Sequence, residues 1–114
     1  MEDIDIDHIE TLGGFGSPEL MEILQDFLDG LDAHSSELIS HLDRGDRKAF
    51  RESAHRLKGG AQMAGFPKLG NLAATWEELA LEETKPLPDK TDLQTNLTRA
   101  IQAARTAFSI HANR

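Results

Sequence analysis

The chain reads as all-α: an antiparallel up-down four-helix bundle with a short additional N-terminal helix. Three observations predict this. Apolar residues recur every three or four positions through most of the chain, the spacing of helices with one buried face. Glycine- or proline-bearing breaks separate these stretches at Gly13-Gly14, Gly45-Asp46, Gly65-Phe66-Pro67 and Pro86 to Pro88. Strand signals are weak, with no tyrosine and no sustained β-branched alternation beyond the first few residues. Helices joined by short breaks become antiparallel neighbours.

A first short helix is predicted from Ile6 to Leu12, ended by Gly13-Gly14. Ser17 then reads as an N-cap and Pro18 as the first helical residue, with Glu19 favourably placed in the first turn. The second helix is expected from Pro18 to about Arg44, with Leu20, Leu24, Phe27, Leu31, Leu38 and Leu42 inward and Gly30 as an interior weak point. Asp46 caps the third, which turns Phe50, Ala54, Leu57, Ala61 and Ala64 inward and stops at Gly65-Phe66-Pro67. The fourth carries Leu69, Leu72, Trp76, Leu79 and Glu83 in phase, so its core face ends near Leu79, with Trp76 central. Thr84 to Lys90 is a loop. The last helix, from about Thr91 to His111, buries Leu93, Leu97, Ile101, Ala104 and Phe108. The expected organisation is one domain over residues 1–114, with the bundle at about 17–111 and the short helix at about 6–12.

A chain of 114 residues can bury one core without disulfides or metal. The absence of cysteine excludes a disulfide, a thiolate metal site and a cysteine nucleophile, and suits a reducing cytoplasm. No apolar run approaches the roughly 18 residues that would span a bilayer. The acidic start, Met1-Glu2-Asp3-Ile4-Asp5, is unlike a secretory signal. A cytoplasmic protein without a membrane partner is therefore expected. No long exposed apolar stripe demands a partner subunit, so a monomer is expected.

The net charge of −8 is unevenly spread. Residues 1–46 hold 13 acids and one base, Arg44, whereas residues 47–114 hold 7 acids and 11 bases. That balance argues against a nucleic-acid binder. Two readings stay open: the two parts pair within the bundle, or the basic segment also draws an anionic partner.

The stretch Ala54-His55-Arg56-Leu57-Lys58-Gly59-Gly60-Ala61 is the most informative. Two glycines inside a helix cost roughly 1 kcal/mol each relative to alanine. A helix that keeps them needs bare backbone there, and access to the histidine is the expected reason. At 100° per residue, His55 projects roughly 150° from the centre of the third helix's apolar stripe. Lys48, Arg51, Glu52, Lys58, Gly59 and Gln62 share that outward half. Neutral imidazole is nucleophilic near pH 7. It can take a phosphoryl group in line as a phosphoramidate and pass it on. A nearby ammonium would stabilise the charge on the transferring oxygens, and Lys58 at i+3 is within reach. Gly59 at i+4 removes a side chain that would shield the ring.

These residues, followed by Gly65, Leu69, Leu72 and Leu79, resemble the histidine-containing phosphotransfer (HPt) domain of bacterial phosphorelays. The resemblance extends from about Ser17 to Phe108. It implies that His55 is the phosphoacceptor, that Lys58 stabilises the phosphoryl group, and that Gly59 opens the surface for docking. It also implies a phosphocarrier rather than a self-standing enzyme, with no cofactor of its own. The partners it implies are a hybrid sensor histidine kinase and response-regulator receiver domains, whose aspartates exchange the phosphoryl group and which bring their own Mg²⁺. Gly60 departs from the family, where serine or alanine is usual. Relatives often place Gln or Glu on the following helix against the histidine. Glu77 lies at about that offset, and Gln62 is a further candidate neighbour of the ring. Lys48, Arg51, Arg56, Lys58 and Lys68 could form the basic face that meets an acidic receiver pocket, with Met63 and Phe66 as an apolar docking patch.

Other constellations carry less. Glu52-x-x-His55 has the spacing of a di-iron bundle motif, but there is no second copy and Glu52 projects outward. His34 and His41 fall at the inner edge of their helix as locally hydrogen-bonded residues. His8 and His111, near the termini, carry no signal. A docking module that binds a receiver or kinase domain without being phosphorylated is the alternative function.

Overall fold

The computed structural model describes residues 2–113. Among these there are six helices and no strand: α1 (Ile6–Thr11), α2 (Pro18–Asp29), α3 (Leu31–Asp43), α4 (Arg47–Ala64), α5 (Pro67–Leu81) and α6 (Lys90–Ala112). The most extensive packing is α4 on α5, followed by α4 on α3; α6 packs on both α3 and α5. Among the described residues, no helix is long and apolar enough to cross a membrane.

Side-chain caps set where the helices begin. Asp5, Ser17, Asp46 and Asp89 accept hydrogen bonds from the backbone N–H groups of His8, Leu20, Ala49 and Asp92. The end of α4 is a Schellman turn around Gly65, whose φ of +84° suits a residue without Cβ. There Phe66 N–H donates to Ala61 O (2.9 Å) and Gly65 N–H to Gln62 O (3.3 Å). Pro67 then opens α5, which folds back along α4.

The predicted second helix is in fact two. Gly30 has φ −80° and ψ −8°, short of helical ψ, and divides α2 from α3. The Leu28 carbonyl instead accepts a hydrogen bond from Arg105 of α6 at 2.9 Å. Flexible backbone and a distant cation thus share the break.

The inward face of α5 also differs from its leucine pattern. Leu69, Gly70, Ala73, Trp76 and Ala80 are buried, while Leu72 and Leu79 are half-buried. Glu83 lies beyond the helix end. The small residues let α4 approach closely. A Cβ on Gly70 would sit 3.2 Å from Gln62 Cγ and 3.7 Å from Ala61 Cβ. Phe66 is likewise corrected: it is fully buried and stacks on Phe27 at 5.9 Å, so it cannot form a surface patch with Met63. The inward stripes of α4 and α6 are buried as predicted.

Side-chain N–H donors close helix C-termini, where carbonyls lack partners inside the helix. Arg47 donates to the carbonyls of Leu79, Ala80 and Glu82 at 3.1–3.2 Å, and to that of Lys85. His8, which carries no signal in the sequence, donates from Nε2 to Met63 O at 2.7 Å. Asp5 N–H adds a bond to Gly65 O at 2.8 Å, so the N-terminal segment ties down the end of α4. The acidic and basic parts of the chain do pair. Arg56 meets Glu37, Lys68 meets Asp3, Lys90 meets Asp43 and Arg105 meets Asp32.

The paired glycines have different reasons. A Cβ on Gly60 would lie 2.8 Å from Phe27 Cε1, so this glycine admits a stacked ring. A Cβ on Gly59 would meet nothing within 4 Å. Gly59→Ala is therefore expected to raise stability by about 1 kcal/mol through helix propensity. Gly60→Ala is expected to lower it, because the ring must move. Denaturant unfolding of the two variants checks this; equal gains would contradict the packing account.

Candidate functional site

The α4–α5 hairpin builds the site. It turns at Gly65-Phe66, so a residue ten before Gly65 comes opposite one eleven after Phe66. That pairing sets His55 against Glu77. His55 Nδ1 lies 2.8 Å from Glu77 Oε1. Lys58 Nζ lies 2.7 Å from Glu77 Oε2. This second contact is an ion pair rather than a directed hydrogen bond, and Oε2 is shielded from solvent. One carboxylate therefore holds two side chains of the preceding helix. The His55 side chain remains 65% exposed while Glu77 is only 16% exposed, so the ring is anchored from below and open above.

Burial pushes the Glu77 carboxyl up, but the contacts from Lys58 and His55 outweigh it and hold the group below the ordinary glutamate range. Glu77 is thus ionised at neutral pH and can only accept hydrogen bonds. The shared proton must sit on His55 Nδ1. In a neutral ring the lone pair is then on Nε2.

The remaining sequence-derived residues divide by location. Gly59 is exposed one turn beyond His55, with open space where a side chain would be. Gln62 is exposed, and its Cγ is directed to Gly70 rather than to the ring. Met63 is 71% exposed at the far end of α4. Lys48 is exposed and Arg51 half-buried, and neither makes a hydrogen bond or ion pair among the described residues. Arg56 and Lys68 are exposed but neutralised by Glu37 and Asp3. The basic face is thus thinner than the sequence alone suggests. His34 is not locally bonded as expected: its Nε2 donates to the Ser53 carbonyl of α4, 19 residues away, at 3.0 Å. His41 contacts Glu37 and Arg44 on its own helix. Among the described residues, no group of three or more His, Asp or Glu side chains is placed to hold a metal ion.

A hollow of about 410 Å³ lies beside the ring, lined by Arg51, Glu52, His55, Arg56 and Glu77. Helical side chains slant toward the N-terminus, so His55 overlies the turn that carries Arg51 and Glu52. Glu52 is therefore part of the ring's surroundings, in a role the sequence reading does not give it.

The Hpt domain family matches residues 22–107, and the chain belongs to that family. Hpt domains are phosphocarrier modules of two-component phosphorelay signalling, working with receiver and kinase domains rather than as self-standing catalysts. Comparison with curated proteins and with solved structures yields no match.

The Glu77 contacts carry a pH signature. A carboxyl lowered in the folded state contributes stability that is present above its unfolded value and is lost as pH falls through its folded value. Glu77→Gln is therefore expected to be less stable than the parent at neutral pH. The difference should shrink as pH falls below the ordinary value of 4.5. Chemical denaturation across pH checks this; a pH-independent difference would contradict the paired-carboxylate account. Glu37, also lowered, stays in both proteins and cancels.

Proposed function

We propose that this domain is a phosphorelay intermediate that carries a phosphoryl group on His55 Nε2 between aspartates of receiver domains. The observation that carries the reading is the Glu77 bond to Nδ1, which fixes the ring and leaves the other nitrogen free and exposed. The Nε2 lone pair attacks phosphorus of an aspartyl phosphate. An N–P bond forms, the acyl P–O bond breaks, and its electron pair leaves on the aspartate carboxylate. The ring becomes cationic, and Glu77 stabilises it through the Nδ1 proton. Return of the group to a second aspartate reverses each step.

The other residues take supporting roles. Lys58 stabilises the phosphoryl group, and its contact with Glu77 also balances a carboxylate that would otherwise repel it. Gly59 leaves bare backbone where a receiver must approach, and its open surroundings support that role because packing does not require glycine there. Lys48, Arg51 and Met63 offer unpaired charge and exposed apolar surface to the receiver, with Arg56 and Lys68 at the flanks. A hybrid sensor kinase stands upstream. Mg²⁺ belongs to the receiver. The scaffold in this reading is an up-down four-helix bundle, with α2 and α3 as one broken helix and α1 as an addition. Residues 1–114 act as one monomeric cytoplasmic domain.

Incubation with phosphorylated receivers is expected to place an acid-labile, alkali-stable label on the protein. His55→Gln should abolish the label while preserving the fold. Label that persists in that variant overturns the assignment. Receiver binding with no phosphohistidine under any condition would instead favour a docking module.

A further inference from the structure

Glu52 is the only acidic side chain of α4, a helix that also carries Arg47, Lys48, Arg51, Arg56 and Lys58. It is exposed and lines the hollow beside the His55 ring. A cation stands one turn away on either side, Lys48 and Arg56, at the i, i+4 spacing that suits helical ion pairs. Neither pairs with it. Arg56 reaches across to Glu37 of α3 instead, and Lys48 makes no ion pair among the described residues. The other acid of the hollow is committed, since Glu77 holds Lys58 and the ring. Glu52 is thus the carboxylate beside the phosphoacceptor that no charge among the described residues answers.

An unanswered carboxylate there opposes transfer, because it repels the aspartyl phosphate that brings the phosphoryl group. Packing gives no reason to keep it, since the side chain is exposed and makes no hydrogen bond among the described residues. Helix position gives none either, because in the second turn of α4 an acid gains little from the helix dipole. Resting on the functional reading above, we propose that Glu52 selects among receiver domains. It meets a basic side chain at the rim of the receiver's phosphorylation pocket and disfavours receivers that are acidic at that point. Discrimination of this kind uses repulsion as well as attraction, and one carboxylate supplies both according to the charge opposite it. Arg51 and Lys48 lie beside it, also unpaired, so the face presents both signs of charge rather than a uniform basic patch. Complementary charge of this kind acts on encounter and register more than on the chemical step.

Phosphotransfer kinetics test this with the full chain and receiver domains phosphorylated by acetyl phosphate. One group of receivers carries Lys or Arg, and the other Asp or Glu, among the side chains around the phosphorylated aspartate. In Glu52→Lys, KM for the basic-rimmed receivers is expected to rise roughly tenfold with kcat nearly unchanged, while KM for the acidic-rimmed receivers falls. Glu52→Gln should move both in the same directions by less. The differences should shrink as salt is added. Exchanging the receiver's rim base for an acid should restore transfer to Glu52→Lys. The same change in KM for both groups, a loss confined to kcat, no change, or no rescue overturns the proposal. Failure of every receiver to label His55 in the parent protein overturns the functional reading itself, and the proposal with it. Circular dichroism and unfolding check that each variant keeps the parent fold, as the exposure of Glu52 predicts.

Discussion

A single carboxylate joining two neighbouring side chains of the preceding helix is the constraint on which the site depends. Glu77 reaches His55 and Lys58 at 2.8 and 2.7 Å only because α4 and α5 lie close together. That closeness comes from small residues at the seam, with Ala61 facing Gly70 and Ala73 buried further along. The register comes from the Schellman turn at Gly65. A two-residue connection allows no slippage, so the carboxylate falls opposite the imidazole. The tie has a chemical consequence as well as a mechanical one. An ionised acceptor at Nδ1 decides which ring nitrogen keeps its lone pair.

Charge in this chain is largely committed to structure. The acidic first part and the basic second part are joined by ion pairs such as Arg105 with Asp32 and Lys90 with Asp43. Exposed pairs of this kind contribute little stability each. Other side chains close helix ends, as Arg47 does at the end of α5 and His8 at the end of α4. These contacts are more specific because they satisfy backbone groups that have no partner inside the helix. What remains unpaired near His55 is therefore informative. Arg51 and Lys48 stand out because their neighbours are spoken for.

Much of the all-α character was legible in the sequence because it rests on local signals. Ser17-Pro18 and Asp46 announce helix starts, and Gly65 announces an end. The stripes of α4 and α6 are read correctly because their inward residues are regularly spaced. Errors arise where distant residues decide. The break at Gly30 is shared with Arg105, which lies 77 positions from Leu28 and leaves no trace in local periodicity. Phe66 reads as a surface residue beside a turn, yet Phe27 from another helix covers it. Gly60 shares a motif with Gly59, but one admits an aromatic ring and the other faces open space. The leucines of α5 mislead because alanine and glycine, not leucine, form its closest seam. Glu77 is named from the sequence only through the family resemblance, and counting outward from the turn leads to the same residue once the hairpin is recognised.

The central claim is that Glu77 holds the proton on Nδ1 and leaves Nε2 as the reacting atom. Heteronuclear ¹⁵N–³¹P NMR of the phosphorylated protein tests it most directly, since it identifies the nitrogen bonded to phosphorus. The account predicts phosphorus on Nε2 of His55. Phosphorus on Nδ1 would contradict it, because that nitrogen could not then remain the donor to Glu77.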